Sequence, residues 1–388
     1  MQDLIDNGML DEPLDGNHGG IHPKASDYVD SGIPFIMASD LHEGKIDYTT
    51  CKYITQAQAN NLRKGFARAG DVLLTHKATL GRTAVVDNTH DYVVLTPQVT
   101  YYRAKTGLSN RYLKYYFDSD EFQTTLHNWG ASGSTRSYLG ITAQKKLPVI
   151  LPPLEEQEVI AGTLSALDDK IAVNTKINRH LEQMAQAVFK SWFVDFEPSI
   201  PFTKVIQVLG GGTPKTGNAE YWNGDIPFFT PKDVLDTYVL ATEKTLTETG
   251  LSNCSSRLYP INTVFVTARG TVGKLAIAGR PMAMNQSCYA LVGKEGHGQY
   301  FVYHLAQYVV ENLKHKASGA VFDAIVTRDF ESELVPDIQT DEICSFEKTV
   351  TGIYQAIFNN TNENAHLAAL RDALLPRLIS GKLPPPVG

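Results

Sequence analysis

The sequence has few cysteines, no cysteine pattern of a metal site and no long apolar run. Only 4 cysteines occur among 388 residues, and no two of them form a C-x-x-C pair. This argues against a disulfide framework and a four-thiolate zinc site. No stretch approaches the ~18 consecutive apolar residues of a membrane span, and the first twenty residues contain no apolar block that would predict a signal peptide. We therefore expect a cytoplasmic protein without membrane contact.

Positive charge is also scarce over the chain as a whole. The 35 Lys and Arg residues are outnumbered by 42 Asp and Glu, which gives a net charge of -7 and by itself argues against a nucleic-acid partner. The deficit is uneven, because residues 51–153 hold 13 basic and 6 acidic side chains and residues 251–300 hold 5 and 1. A local basic face can bind phosphates while the chain stays acidic, so these two blocks keep a nucleic-acid partner open.

Familiar catalytic and metal-binding motifs are missing as well. The sequence has no Gly-x-Ser-x-Gly elbow and no Asn/Asp-Pro-Pro-aromatic run. Residues 210–217 superficially resemble a phosphate loop, but Pro214 instead of Gly precedes Lys215, and a loop is expected where a helix should follow. Two glycines between His18 and His22 favour a loop role or a DNA-backbone contact over a metal pair. We expect no catalysis, no metal and no cofactor bound by this chain.

An internal repeat covers most of the sequence. Ile33-Pro34-Phe35 recurs as Ile226-Pro227-Phe228, an offset of 193, and Ala131-Ser132-Gly133 recurs as Ala317-Ser318-Gly319, an offset of 186. The drift in the offset predicts a shorter second copy with its deletions in loops. The two basic blocks fall in overlapping places of the two copies, which favours a functional reason for them.

Each copy is predicted to have a front α+β part and a back helical part. The fronts contain short β-like runs such as 71–75 and 263–267, punctuated by Gly, Pro and Asn, with helical patches at 109–128 and 299–316. The predicted order is a first α+β globule at 1–153, a long helix at 154–200, a second α+β globule at 201–336, and a second long helix with a tail at 337–388.

The two back parts carry the same apolar seam. Apolar residues recur in alternating steps of four and three from Ile160 to Trp192, and the same steps run from Phe346 to Leu378. A period of 3.5 residues is typical of a left-handed coiled coil. Each seam contains two asparagines at matching positions, and polar seam residues cost stability but fix register and partner. The predicted register residues are Asn174, Asn178, Asn360 and Asn364.

Two pairings of the helices are possible. An antiparallel pairing places Asn174 opposite Asn364 and Asn178 opposite Asn360, whereas a parallel pairing joins Asn174 to Asn360. The antiparallel pairing is preferred, because the intervening globule then leaves and re-enters at one end of a rod roughly 50 Å long. It predicts one globule at each end of a spacer, related by a pseudo-twofold axis. Two amphipathic helices in an ordinary core are the alternative.

Several long runs carry a specific signature. They are Gly133-Ser134-Thr135-Arg136, Leu147-Pro148-Val149-Ile150-Leu151-Pro152-Pro153-Leu154-Glu155-Glu156-Gln157, Gly211-Gly212-Thr213-Pro214, Tyr221-Trp222-Asn223-Gly224-Asp225-Ile226-Pro227-Phe228, and Leu374-Leu375-Pro376-Arg377-Leu378-Ile379-Ser380-Gly381. Together they resemble the specificity subunits of type I restriction–modification systems. The resemblance covers essentially the whole chain in two-copy order, although Val335-Pro336-Asp337-Ile338 replaces the longer proline run of the first copy.

The resemblance implies two α+β target recognition domains separated by an antiparallel helical spacer. It implies a subunit without catalysis that reads a bipartite, asymmetric and interrupted double-stranded DNA sequence. Two modification (methyltransferase) subunits, and restriction subunits beyond them, would be its protein partners, and these would bind S-adenosylmethionine, ATP and magnesium. The predicted architecture by itself suggests that the spacer sets the distance between two DNA half-sites, since the spacing of half-sites follows protein geometry.

Matching segments of the two copies contain the candidate DNA contacts. Residues 75–82 follow an apolar strand, and residues 267–274 are their counterpart; each places cations and hydroxyls around a turn. Such groups hold phosphates, and Arg can also read guanine edges. Solvated charges on a structural turn are the alternative, and for Gly81 and Gly273 the structural role is favoured. The candidates are Lys77, Thr79, Arg82, Ser134, Thr135, Arg136, Lys215, Arg269, Thr271 and Lys274.

Two rival functions stay open. One is a stand-alone DNA methyltransferase or nuclease, which binding of a methyl donor by the isolated chain would favour. The other is a coiled-coil scaffold that binds only protein. A footprint on duplex DNA with two protected blocks and an unprotected gap would exclude the scaffold.

Overall fold

The computed structural model describes residues 1–131, 137–193, 195, 197–316 and 323–384. Contacts between residues divide the chain into two units. Unit 1 comprises Met1–Lys170 and Leu367–Gly388, and unit 2 comprises Ile171–His366. Within the described residues, no helix combines the length and the hydrophobicity that a membrane crossing requires.

Unit 1 has the α+β composition that the sequence predicts. Its strands are β1 (Leu14–Asp15), β2 (Ile33–Ile36), β3 (Leu41–His42), β4 (Lys45–Ile46), β5 (Lys52–Ile54), β6 (Phe66–Ala67), β7 (Val72–Lys77), β8 (Thr79–Val85), β9 (Val93–Leu95) and β10 (Val99–Tyr102). Its helices are α1 (Gln2–Asp6), α2 (Gln56–Asn60), α3 (Asn110–Asp118), α4 (Asp120–Gly130), α5 (Ile141–Gln144), the first part of α6 (Leu154–Phe193) and the last part of α11 (Thr340–Ile379).

Two main sheets form the core of unit 1. One has the strand order β1-β10-β7-β8 and the other β5-β2-β9-β6. Strand β7 contributes to both sides of its sheet: Val72 and Leu74 pack among the apolar side chains of α3 and α4, whereas Leu73 packs with the group around Ile36 and Val99. Because both of its faces are buried, β7 begins with three consecutive apolar residues, Val72, Leu73 and Leu74, instead of alternating apolar and polar residues.

Unit 2 repeats this composition. Its strands are β11 (Pro198–Pro201), β12 (Ile206–Gly210), β13 (Trp222–Phe229), β14 (Tyr238–Val239), β15 (Thr245–Leu246), β16 (Val264–Thr267), β17 (Leu275–Ala278), β18 (Ala283–Met284), β19 (Cys288–Gly293) and β20 (Leu334–Pro336). Its helices are the second part of α6, α7 (Phe202–Val205), α8 (Glu248–Ser252), α9 (Gln299–Lys316), α10 (Thr327–Ser332) and the first part of α11 (Thr340–Ile379).

The strand order of unit 2 matches that of unit 1. The order β12-β19-β16-β17 corresponds to β1-β10-β7-β8, and unit 2 adds a fifth strand, β14, beside β17. In the second sheet of each unit two strands run parallel, with Phe35 opposite Val94 in unit 1 and Phe228 opposite Ala283 in unit 2. Phe35 and Phe228 are also the residues that the internal repeat aligns, so the duplication predicted from the sequence is present in the fold.

The long helices α6 and α11 have 40 residues each. Two glutamates lie in the first turn of α6, where negative charge favours the positive end of the helix dipole. In each unit the two helices run antiparallel: Arg371 meets Asp168 in unit 1, and Asn364 meets Asn174 in unit 2. The predicted seam residues are buried or half-buried, apart from the partly exposed Trp192.

Some element boundaries differ from the prediction. Helix α6 ends at Phe193, before the predicted residue 200, because Pro198 and Pro201 belong to β11, which pairs with β20; proline lacks the N–H that a helix needs. The helical patch predicted at 109–128 is two helices. They are separated at Ser119, whose hydroxyl caps α4 by accepting the N–H of Phe122. The patch predicted at 299–316 coincides with α9.

Candidate nucleic-acid interface

The candidate segment of unit 1 is the hairpin that joins β7 to β8. The chain turns at Ala78, which has a φ of 66°. Behind the turn, the Thr75 hydroxyl accepts the N–H of Arg82 at 2.9 Å. Gly81 has a φ of 87°, and its carbonyl accepts a hydrogen bond from Gln123 Nε2 at 2.9 Å. The segment from Thr75 to Gly81 therefore forms a turn that a hydrogen bond holds against α4.

The counterpart in unit 2 is built in the same way. The Thr267 hydroxyl accepts the N–H of Lys274 at 2.9 Å. Gly273 has a φ of 75°, and its carbonyl accepts a hydrogen bond from Lys314 Nζ of α9 at 3.2 Å. A side chain at Gly273 would also meet Val310, since a Cβ there would lie 2.8 Å from Val310 Cγ1. The structural role predicted for the two glycines agrees with this geometry.

The predicted cations of both hairpins are exposed. Exposed positions around the two turns are Lys77, Thr79, Arg82, Arg269, Thr271 and Lys274. The guanidinium of Arg82 donates to the carbonyl of Ala38 at 3.1 Å. Among the described residues, none of the four cations forms a salt bridge. They therefore remain available for phosphates, and their contact with DNA stays a prediction.

Each hairpin is also held by a backbone pairing. Lys77 pairs with Tyr138 in unit 1, and Arg269 pairs with Ala324 in unit 2. The two pairings correspond under the internal repeat, so the first cation of each copy has the same backbone setting. The remaining first-copy candidates, Ser134, Thr135 and Arg136, lie outside the described residues.

Lys215 lies on the loop that follows β12. Its side chain is exposed, and its carbonyl accepts a hydrogen bond from Trp222 Nε1 at 3.3 Å. The loop packs tightly at its start, because a Cβ at Gly211 would lie 2.2 Å from the carbonyl oxygen of Asn285. Two of the glycines that resemble a phosphate loop, Gly211 and Gly212, therefore serve close packing, and the next α-helix, α8, begins only at Glu248.

The corresponding loop of unit 1 contains His18 and His22, for which the sequence predicted a loop role or a DNA-backbone contact. It follows β1, whose last residue, Asp15, is buried and forms a salt bridge with Lys64 and a hydrogen bond with His18. The strand pairing shows that the two loops are equivalent, since Leu14 opposite Tyr101 corresponds to Leu209 opposite Ala290. Lys64 was not among the predicted DNA contacts, because its ion pair with Asp15 joins residues 49 positions apart.

The four seam asparagines form two hydrogen-bonded pairs in unit 2. Asn174 Nδ2 donates to Asn364 Oδ1 at 2.9 Å, and Asn360 Nδ2 donates to Asn178 Oδ1 at 2.8 Å. Asn174 also donates to Glu363 at 2.7 Å. These are the partners that the antiparallel pairing predicts, and the parallel pairing would not produce them.

The described titratable groups include two buried histidines, His76 and His304. Within the described residues, no three His, Cys, Asp or Glu side chains are grouped as metal ligands. Burial lowers the pKa of His76, and it lowers the pKa of His304 to about 4. His304 Nε2 and the Tyr354 hydroxyl share a hydrogen bond of 2.8 Å. This histidine therefore belongs to the packed core.

A family model described as the type I restriction modification DNA specificity domain matches the chain at residues 14–183 and again at 200–336. These two matches follow the two copies of the repeat and cover most of the chain.

Individual proteins agree with the family match. The chain is 25% identical to the type I restriction enzyme MjaIX specificity subunit of Methanocaldococcus jannaschii, over 94% of this chain and 90% of that protein. It is 24% identical to the HindI specificity subunit of Haemophilus influenzae, over 90% and 94%. In fold it resembles the crystal structure of a type I restriction–modification S subunit from M. genitalium, with a TM-score of 0.55, 15% identity and coverage of 96% and 94%.

Proposed function

The chain belongs to the type I restriction–modification DNA specificity family, and on this basis we propose that each unit reads one half-site of a bipartite, asymmetric duplex DNA sequence. The observation that carries this proposal is the repeated hairpin. In both units a threonine hydroxyl accepts the N–H of the residue that follows the glycine, Arg82 or Lys274. Exposed cations flank each turn, where they can bind phosphates.

The asymmetry of the target follows from divergence between the copies. The hairpin frame is shared, but the first cation is Lys77 in unit 1 and Arg269 in unit 2, and the second is Arg82 and Lys274. Arginine binds guanine edges or phosphates through a planar fork, whereas lysine acts as a point charge. Two units with interchanged cation types are suited to different half-sites.

The chain supplies recognition, and partner subunits supply the chemistry. S-adenosylmethionine, ATP and magnesium are bound by the methyltransferase and restriction subunits that this chain recruits. A stripe on α6 supports a helical protein partner: Val173, Ile177 and Met184 are exposed by 53%, 43% and 56%, and they recur at helical spacing. Exposed apolar stripes of this kind mark interaction surfaces.

A footprint tests this function against its rivals. The chain, reconstituted with its two methyltransferase subunits, is expected to protect two short blocks of duplex DNA separated by an unprotected gap. The isolated chain is expected to bind no methyl donor. Saturable binding of S-adenosylmethionine by the isolated chain would favour a stand-alone methyltransferase. Absence of any footprint from the assembled complex would favour a scaffold and overturn the proposal.

A further inference from the structure

A buried carboxylate in unit 1 holds two basic side chains at the surface. Asp15 is 4% exposed. Its Oδ2 lies 2.8 Å from His18 Nε2, and its Oδ1 forms a salt bridge with Lys64. Burial alone would raise the pKa of Asp15, but the hydrogen bonds from Lys64 and His18 outweigh it and leave the pKa below its usual value. Asp15 is therefore charged, and it fixes the position of both partners.

The loop after Asp15 leaves open space in front of these side chains. The four residues from His18 to Ile21 are all exposed, and Gly19–Ile21 form a single turn of 3-10 helix. A Cβ added to Gly19 or Gly20 would meet no atom within 4 Å. A phosphate can therefore approach His18 and Lys64 from solvent.

A second cationic residue is fastened to the same loop. Asn17, which is buried, accepts the N–H of Arg63 at 3.0 Å and donates to the carbonyl of Lys64 at 2.6 Å. The Arg63 side chain is exposed. Within the described part of the chain, its guanidinium has no acidic partner. Arg63 and Lys64 thus carry two positive charges against the one negative charge of Asp15.

Among the described residues, the equivalent place in unit 2 lacks this arrangement. The residue of unit 2 that corresponds to Asp15 is Gly210, which follows Leu209 as Asp15 follows Leu14. The unit 2 loop continues with Gly211 and Gly212 and reaches its first cation at Lys215. The two copies therefore differ at equivalent places beside an otherwise shared sheet.

We propose that Lys64 and His18, which the buried Asp15 holds in place, bind a DNA backbone phosphate at the half-site read by unit 1. The inference rests on the proposed function and adds a contact that the hairpins do not provide. Asp15 is a positioning residue, because it is buried and acts through the two side chains that it holds. Charge-assisted hydrogen bonds to a phosphate favour such a fixed arrangement.

The test compares salt dependence among variants of the chain assembled with its methyltransferase subunits. Lys64→Met is expected to weaken binding about tenfold and to lower the slope of log affinity against log salt by about 0.9, as expected for one lost phosphate contact. Lys64→Arg is expected to restore the slope. The matched control is Lys105→Met, because Lys105 forms an ion pair with Asp11 in the same unit and is expected to keep the parent slope.

Four outcomes would overturn the inference. One is a parent-like slope for Lys64→Met, and another is a relaxed base preference with the slope unchanged, which would make Lys64 a base-reading residue. The third is binding of inorganic phosphate to the parent but not to Lys64→Met while both bind DNA with the same affinity, which would indicate a free-anion site. The fourth is a Lys64→Met effect accompanied by a lower thermal midpoint than that of Lys64→Arg, which would indicate a folding defect. Failure of the parent complex itself to bind DNA would instead contradict the proposed function.

Discussion

Asn174 and Asn364 meet in the seam between α6 and α11 of unit 2, with Nδ2 of the first donating to Oδ1 of the second at 2.9 Å. Asn174 is 1% exposed. A shift of register would leave this amide buried without its partner, at a cost of about 1–3 kcal/mol. The pair therefore favours one antiparallel register over its neighbours.

Replacement of all four seam asparagines by leucine tests this role. We expect the helical content to be retained while the register or the oligomeric state changes, because leucine packs in any register of an apolar seam. Circular dichroism measures the helical content, and light scattering measures the oligomeric state. Asn359→Leu on the exposed face of α11 is the control. An unchanged oligomeric state and thermal midpoint in the fourfold variant would show that the asparagines have no register role.

The Gly273 position predicts a specific steric effect. Gly270 and Gly273 both have positive φ values, of 81° and 75°, but only a Cβ at Gly273 meets neighbours. Gly270→Ala is expected to cost about 1 kcal/mol from backbone strain, and Gly273→Ala about 2–4 kcal/mol because overpacking adds to it. Denaturant unfolding measures both. Equal costs at the two positions would contradict the packing of this hairpin against α9.

The ion pair between Asp168 and Arg371 predicts a pH-dependent loss of stability in unit 1. Burial alone would raise the pKa of Asp168, but bonds from Tyr115 and Arg371 and the charge of Lys114 leave it below its usual 3.8. The stabilisation is therefore present at neutral pH and is lost as the pH falls through the folded-state pKa. Arg371→Leu is expected to cost about 1–2 kcal/mol at neutral pH, since the pair is partly exposed.

Urea unfolding at a series of pH values measures this difference. The gap between parent and Arg371→Leu is expected to shrink below pH 4, about the usual pKa of Asp. In a chain that also carries Asp168→Asn, Arg371→Leu is expected to lower the free energy of unfolding by less than it does in the parent chain. A gap that stays constant with pH would assign the loss to packing of the arginine stem.

Charge reversal at the hairpins tests their contact with DNA. Lys77→Glu or Arg269→Glu, in the chain assembled with methyltransferase subunits, is expected to weaken DNA binding and to lower its salt dependence. Lys348→Glu, exposed on α11, is the control and is expected to leave the salt slope unchanged. A salt slope identical to that of the parent would remove the substituted residue from the interface.

The sequence was sufficient for features that repeat or have a period. The 3.5-residue seam predicted both long helices, and the matched asparagines predicted which residues meet. The repeat predicted two α+β parts, which appear as sheets of matching strand order. The end of α6 was predicted too late, although Pro198 is a helix-breaking signal within the predicted range, because the pairing of β11 with β20 joins residues that are distant in sequence.

Features that depend on contacts between distant residues could not be predicted. Arg371 interrupts the apolar seam of α11. It does so because it forms an ion pair with Asp168 on the other helix. The group around Asp15 depends on Lys64, 49 residues away. Both are ion pairs brought together by the fold, and no local pattern in the sequence marks them.

Mapping of methylated bases in cells with and without this gene tests the central claim most directly. The account predicts that cells with the gene methylate a sequence of two different short half-sites separated by unspecified bases. It also predicts that methylation of this sequence is lost when the gene is removed. Methylation that is unchanged by removal of the gene, or a modified sequence that is continuous or symmetric, would contradict the account.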